Sequence, residues 1–389
     1  MRRKFSHISK HPRGDRKVMI KPLRCVHVVV LSCGFMLLAG CGSTCHDCLT
    51  PPAELQLAYV ANYQDNTISG FVIDASTGML TPTSAGPFPA GTGPFSIAVV
   101  PSGKYAYVAN AGSNDVSGYS IDLTSGAMTP LPGSPFPAGA NPAGIAVDSA
   151  GKFLYVPDYQ SSDIVGFSID ANTGALTAIP GSPFPSANEV IDIAIDPTGP
   201  FAYAAGQRGT LSAYRVDSQT GSLTEIAGSP YQGGPEPSSV QIARSGKFLY
   251  VTNETTDTTY EFALDPSTGA ANLIANTTPI GGAARGAAID PSGQFLYVAD
   301  AFSNEILGYQ IDASTGVLTP LTAGPFVTGQ VPFSMVLDPS KKYVYVACQG
   351  GGVYGYAFDV STGMLTALAN SPFSAGSSPL WIAVAGKAQ

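Results

Sequence analysis

A closed all-β ring of seven blades, each a sheet of four antiparallel strands, is the fold predicted for residues 55–389. Three observations carry that prediction. A tyrosine-centred phrase recurs at Tyr59, Tyr107, Tyr155, Tyr203, Tyr250, Tyr297 and Tyr345, with spacings of 48, 48, 48, 47, 47 and 48 residues. A fixed period in the forties, made of short strands and turns, marks a β-propeller with one blade per repeat. The chain also holds 44 glycines and 32 prolines with only 12% charged residues and no helical periodicity, which suits short strands and tight turns. Finally, the repeat region opens on a second-type strand, Leu57–Ala61, with no first-type strand ahead of it. The missing strand stands at the far end, Leu380-Trp381-Ile382-Ala383-Val384. It is expected to join blade one as its innermost strand, closing the ring and removing a long unpaired edge.

The first forty residues follow other rules. Nine of the 19 basic residues fall within 1–24, and a mostly apolar stretch of 15 residues, Val26 to Gly40, comes next. That stretch is short of the roughly 20 residues a membrane span needs, but it suits the core of a signal peptide. It ends in Leu38-Ala39-Gly40-Cys41, which resembles the lipobox of bacterial lipoproteins. The resemblance implies a signal over 1–40, lipid on Cys41 and a flexible tether over 41–54. An ordinary secretory signal with an incidental cysteine is the alternative. Met19 offers a more typical start than Met1, and Gly42 lacks the acid that favours inner-membrane retention, so an outer-membrane or cell-surface destination is expected.

Removing nine cations and one anion with the leader leaves 10 basic and 26 acidic residues, a net charge of −16. So acidic a body repels phosphate backbones and excludes nucleic acid as a partner. Cys45-His46-Asp47-Cys48 lacks a second ligand pair for a metal and reads as tether with scope for a local disulfide. Cys348 stands where other repeats have Asn or Asp and reads as a small apolar filler.

Blade two shows the unit. Phe95–Val99 is a short apolar strand, Pro101-Ser102-Gly103-Lys104 a turn, Tyr105–Ala109 a second strand and Asn110–Asp115 a polar loop. Val116–Ile121 forms a third strand, Asp122–Gly126 a turn, and Met128 to Leu131 a fourth, with prolines kept to turns and the outer edge. The last turn recurs with Asp74, Asp122, Asp170, Asp217, Asp265, Asp312 and Asp359, each four residues before a glycine. Such an Asp caps backbone N–H groups while the Gly takes positive φ. Carboxylates a blade apart cannot share a calcium ion.

These repeats, with Asp290-Pro291-Ser292-Gly293 and Ile311-Asp312-Ala313-Ser314-Thr315-Gly316, resemble the seven-bladed lactonase family, typified by 6-phosphogluconolactonase and related to YVTN-repeat surface propellers. The resemblance covers 55–389 and implies a carbohydrate-lactone hydrolase, a carboxylic ester hydrolase that needs no metal. In such rings ligands sit on the face built by loops entering the innermost strands and loops between second and third strands. On this chain that face carries Tyr63, Tyr159, Gln207, Glu254, Phe333 and Trp381 as ligand-binding candidates. Charge gathers at Arg285, Arg208, Glu189, Asp192 and Glu236, the catalytic candidates. An Arg with one or two carboxylates binds a sugar acid or activates water on a lactone carbonyl; the same groups also suit salt bridges that fasten loops.

Histidine is the contrary sign. His7, His11, His27 and His46 all precede residue 55, so the ring has no imidazole, hence no Ser–His pair and no His-ligated metal. Relatives thought to use His with Arg and an acid differ here. The first functional reading is therefore a lipid-anchored envelope propeller that binds a ligand, glycan or protein on that face without cofactor or metal. The alternative is the lactone hydrolase, with Arg285 and Arg208 polarising the carbonyl and Glu189, Asp192 or Glu236 as base.

Overall fold

A computed structural model describes residues 54–256, 258–277, 282–338 and 340–386; the leader, Cys41 and the tether to residue 53 lie outside them. The described body is seven antiparallel sheets. Each tyrosine phrase forms the second strand of its sheet, as in Tyr105–Asn110, where all six residues are buried. A continuous apolar run of that length fits a strand covered on both faces, here by neighbouring blades. Clusters such as Tyr107, Val116, Leu131, Leu154, Val156 and Phe167 join blades two and three.

Ring closure is as expected. Pro379–Ala385 pairs antiparallel with Gln56–Asn62, Leu57 opposite Ala385 and Ala61 opposite Trp381. Blade one thus takes its innermost strand from one end of the repeat region and its other strands from the opposite end.

The tyrosines and turn glycines interlock between blades. Tyr107 donates to the carbonyl of Gly174 at 2.6 Å, Tyr155 to Gly221 at 2.7 Å and Tyr250 to Gly316 at 2.9 Å. Tyr345 of blade seven closes the circuit onto Gly78 of blade one at 2.7 Å. Burial pushes these phenols well above their ordinary range, so they remain hydrogen-bond donors. The turn aspartates behave as read: Asp122 accepts from the Thr124 N–H at 2.8 Å, and Gly126 has φ 74. Cys348 is fully buried.

Two details depart from the sequence reading. The outer strand is split in most blades. In blade two Met128–Pro130 pairs with one end of Asp115–Ile121 and Phe136–Pro137 with the other. Between them the Ser134-Pro135 peptide is cis, and Ser134 Oγ accepts the Gly118 N–H at 2.9 Å. Proline also enters a central strand. Pro157 lies in Phe153–Asp158 without an N–H to give, and the innermost strand of blade three shrinks to Ala146–Val147. Gly144, displaced from that ladder, donates its N–H to the Ile191 carbonyl of blade four at 2.9 Å. Among the described residues no helix is long and apolar enough to cross a membrane.

Candidate functional site

One backbone bond recurs on the funnel face. The residue after the second strand donates its N–H to a carbonyl at the start of the innermost strand. Gln207 bonds Glu189 at 3.0 Å and Glu254 bonds Glu236 at 2.9 Å. Each bond draws a loop pair of one blade together. Glu189 adopts φ 56 to do so, and Ser162 Oγ accepts its N–H at 3.1 Å.

Across the blade five to six boundary, Arg285 opens the innermost strand Ala284–Ile289. Its backbone is pinned from blade five: Thr252 Oγ1 donates to the Arg285 carbonyl at 2.9 Å and Ser238 Oγ to the Ala284 carbonyl at 2.7 Å. The side chain meets Glu254 at 2.6 Å, and its guanidinium lies 5.4 Å from the Phe333 ring centre. Phe333 packs edge-on against Phe95 at 5.4 Å, and Phe95 stands 6.4 Å from Trp381. Arg285, Phe333, Phe95 and Trp381, together with Ile191, Gln207, Ser238 and Gly286, line an axial cavity of about 130 Å³. Trp381 also borders a more open channel further along the axis and so divides the two.

Burial raises the Glu254 carboxyl above its ordinary value; Arg285 opposes that rise and Glu236 adds to it. The Nε of Arg285 is buried and has no hydrogen-bond partner. An unsatisfied buried donor is costly, and here it belongs to a residue lining a cavity.

Arg208 and Glu189 pair at 2.5 Å in a separate recess with Tyr159. Burial raises the Tyr159 phenol, Glu189 adds to the rise, Arg208 opposes it, and Glu236 is also felt there. Four expected residues line neither recess: Glu254, which meets the axial one through its pair with Arg285, and Glu236, Asp192 and Tyr63. Asp192 is enclosed: its Oδ2 accepts from Ser239 Oγ and the Val240 N–H, both at 3.0 Å, tying blade four to blade five. Burial pushes its carboxyl up to about 6 against those bonds. Its place as a base facing the funnel is therefore corrected to that of an interblade fastener. Tyr63 packs over Gly93, where an added Cβ would stand 3.2 Å from its ring, away from the charged blades. Conversely, Phe95 and Ser238 line the cavity although charge and loop position did not single them out.

A family model described as "Lactonase, 7-bladed beta-propeller" matches residues 42–236 and 228–327. This chain belongs to the seven-bladed β-propeller lactonase family. Comparison with curated proteins found no match. Among solved structures, this lactonase-family propeller is similar to a candidate 6-phosphogluconolactonase of Bacteroides fragilis. The TM-score is 0.74 at 22% identity, over 89% of this chain and 100% of that one. It is similar also to the periplasmic gluconolactonase of Pseudomonas aeruginosa, with a TM-score of 0.72 at 19% identity, over 85% and 99% of the two chains. At such identities the likeness shows the fold, and propellers host many functions. Within this lactonase-family ring no histidine occurs at 54–386, and among the described residues no three His, Cys, Asp or Glu side chains group closely enough to hold a metal ion.

Proposed function

We propose that the axial cavity binds a sugar lactone or the sugar acid to which it opens. The observation that carries this reading is Arg285: half-buried against Glu254, with Phe333 beside its guanidinium, and lining the cavity. A guanidinium so placed holds a carbonyl or carboxylate oxygen, while Phe95, Phe333 and Trp381 offer aromatic faces to a ring. Titration calorimetry with gluconolactone and gluconate should show binding, weakened about 10- to 100-fold in Arg285→Ala, the usual range for a lost charged hydrogen bond. No heat from either compound with the parent protein overturns the proposal.

Hydrolysis is the second reading, favoured by Glu254. With no imidazole in the ring, a carboxylate has to serve as base, and Glu254 lies beside the polarising Arg285. In that step water oxygen adds to the carbonyl carbon and Glu254 accepts its proton. The ring C–O bond then breaks and the proton passes to the leaving oxygen. The rate should rise with pH through ionisation of Glu254, whose raised pKa places that rise above the ordinary carboxylate range. Glu254→Gln opening gluconolactone as fast as the parent would remove hydrolysis and leave binding standing.

We also propose export and anchoring through lipid on Cys41, with the funnel serving an envelope glycan, sugar lactone or protein partner. The apolar stretch ending at Cys41 supports it, and a fold neighbour is named periplasmic. Cells fed labelled fatty acid should label the parent protein and not Cys41→Ala; equal labelling of the two would sink the anchor.

A further inference from the structure

The recess beside the axial cavity has its own chemistry. It measures about 460 Å³ and is lined by Tyr159, Gln160, Ser162, Asn188, Glu189 and Arg208. Amides, a hydroxyl and a half-buried tyrosine ring dominate it, a lining suited to hydroxyl groups and to a sugar face. Arg208 leaves most of its guanidinium open: the side chain is 66% exposed and only Nη2 is engaged, by Glu189.

The two recesses are neighbours. Gln207 lines the axial cavity and Arg208, the next residue, lines the outer one. Glu236 is felt electrostatically by both Glu254 and Tyr159. Two guanidinium groups are each paired with one carboxylate, Glu189 and Glu254, and the field of a third, Glu236, reaches both recesses. The excess of negative charge disfavours a phosphate or uronate arm and leaves polar, uncharged groups as the better fit.

We propose that the ligand is an oligosaccharide rather than a single sugar. Its terminal lactone or acid unit occupies the axial cavity, and a neutral second ring lies over Tyr159 in the outer recess. This rests on the sugar-lactone reading of the axial cavity. The Gln207–Arg208 turn is then a hinge point between subsites, and Tyr159 is the specificity residue for chain length.

Calorimetry on the full chain separates the cases, using gluconate, 6-phosphogluconate and the two-ring acids maltobionate and cellobionate. At least one two-ring acid should bind about tenfold more tightly than gluconate. The ratio of two-ring to one-ring affinity should fall toward unity in Tyr159→Ala and in Arg208→Gln, whereas Arg285→Ala should weaken all ligands together. Equal affinity of the parent for one- and two-ring acids overturns the second subsite while sparing the axial site. So does 6-phosphogluconate binding more tightly than gluconate, or a ratio unchanged in both outer variants. Absence of binding by every compound overturns the axial site and this inference with it.

Discussion

Asp158 holds the place that Asn62, Asn110 and Asn253 hold in their blades, fully buried at the end of the second strand. In blade two the Asn110 amide donates to Asp115 Oδ1 at 2.7 Å and to Ser117 Oγ at 2.9 Å, binding the second strand to the third. The corresponding residues in blade three are Asp163 and Val165, so a donor has become a carboxyl facing a carboxyl. Burial, then Asp163, push its pKa up to about 8, against the opposing pull of the Gly139 and Val165 N–H groups. A carboxyl raised in the folded state favours folding most when protonated. Its support is full below about pH 4 and is lost as pH climbs to about 8. Asp158→Asn should restore the donor, raise the melting temperature most clearly near pH 8 and flatten its pH dependence. A lower melting temperature at pH 8 would contradict this account. The same scale shows where sequence suffices. Arg285 near the axis was readable because it opens an innermost strand. Asp192 was misplaced because the Ser239 and Val240 groups that enclose it belong to the next blade. The Glu254–Arg285 contact crosses a blade boundary, which no local pattern reveals.

The loops entering the innermost strands share a left-handed residue: Gly93 at φ 62, Asn141 at 60, Val331 at 52 and Ser378 at 59. Glycine and asparagine accept that conformation, whereas a β-branched residue is strained there. Val331 is held in it by its N–H bond to Asn304 Oδ1 at 2.8 Å and by the Gln349 N–H bonding its carbonyl at 2.9 Å. Val331→Asn keeps those backbone bonds and should stabilise the protein by about 1 kcal/mol, raising the melting temperature by about 2 °C. A fall in melting temperature would show that the valine side chain contributes more by packing than its backbone costs. Four strands per blade were legible from alternation and turns, since each rule acts within a few residues. The splitting of the outer strand was not. In four blades it goes with Ser134, Ser182, Ser229 or Ser371 accepting an N–H from a third strand sixteen residues earlier, and in blades one and six Gly86 and Gly324 hold that place, an arrangement that period-two patterns do not encode. Blade five lacks the motif and keeps an unbroken outer strand, Ala271–Thr277, with Leu273 exposed.

For the molecule as a whole, blade count and closure followed from one arithmetic fact, a repeat whose missing first strand reappears at the other end. Function was less legible because the repeated residues build the ring, while the site is made by those that break the repeat, such as Arg285 and Trp381. The tyrosine-to-glycine bonds run in one direction round the ring, each blade donating to the next, Tyr59 to Gly126 through Tyr345 to Gly78. Blade one is where the covalent chain is interrupted, yet Leu55 and Gly386 lie side by side there, close enough for a Cβ on Gly386 to stand 2.5 Å from the Leu55 carbonyl oxygen. The position of the break is therefore incidental to the architecture. A circular permutant that links the two through a short glycine linker and opens in the Ser113–Asn114 loop should fold and melt cooperatively within a few degrees of the parent. Failure of that permutant to fold, with the linker varied in length, would mean that ring closure requires its native order of assembly.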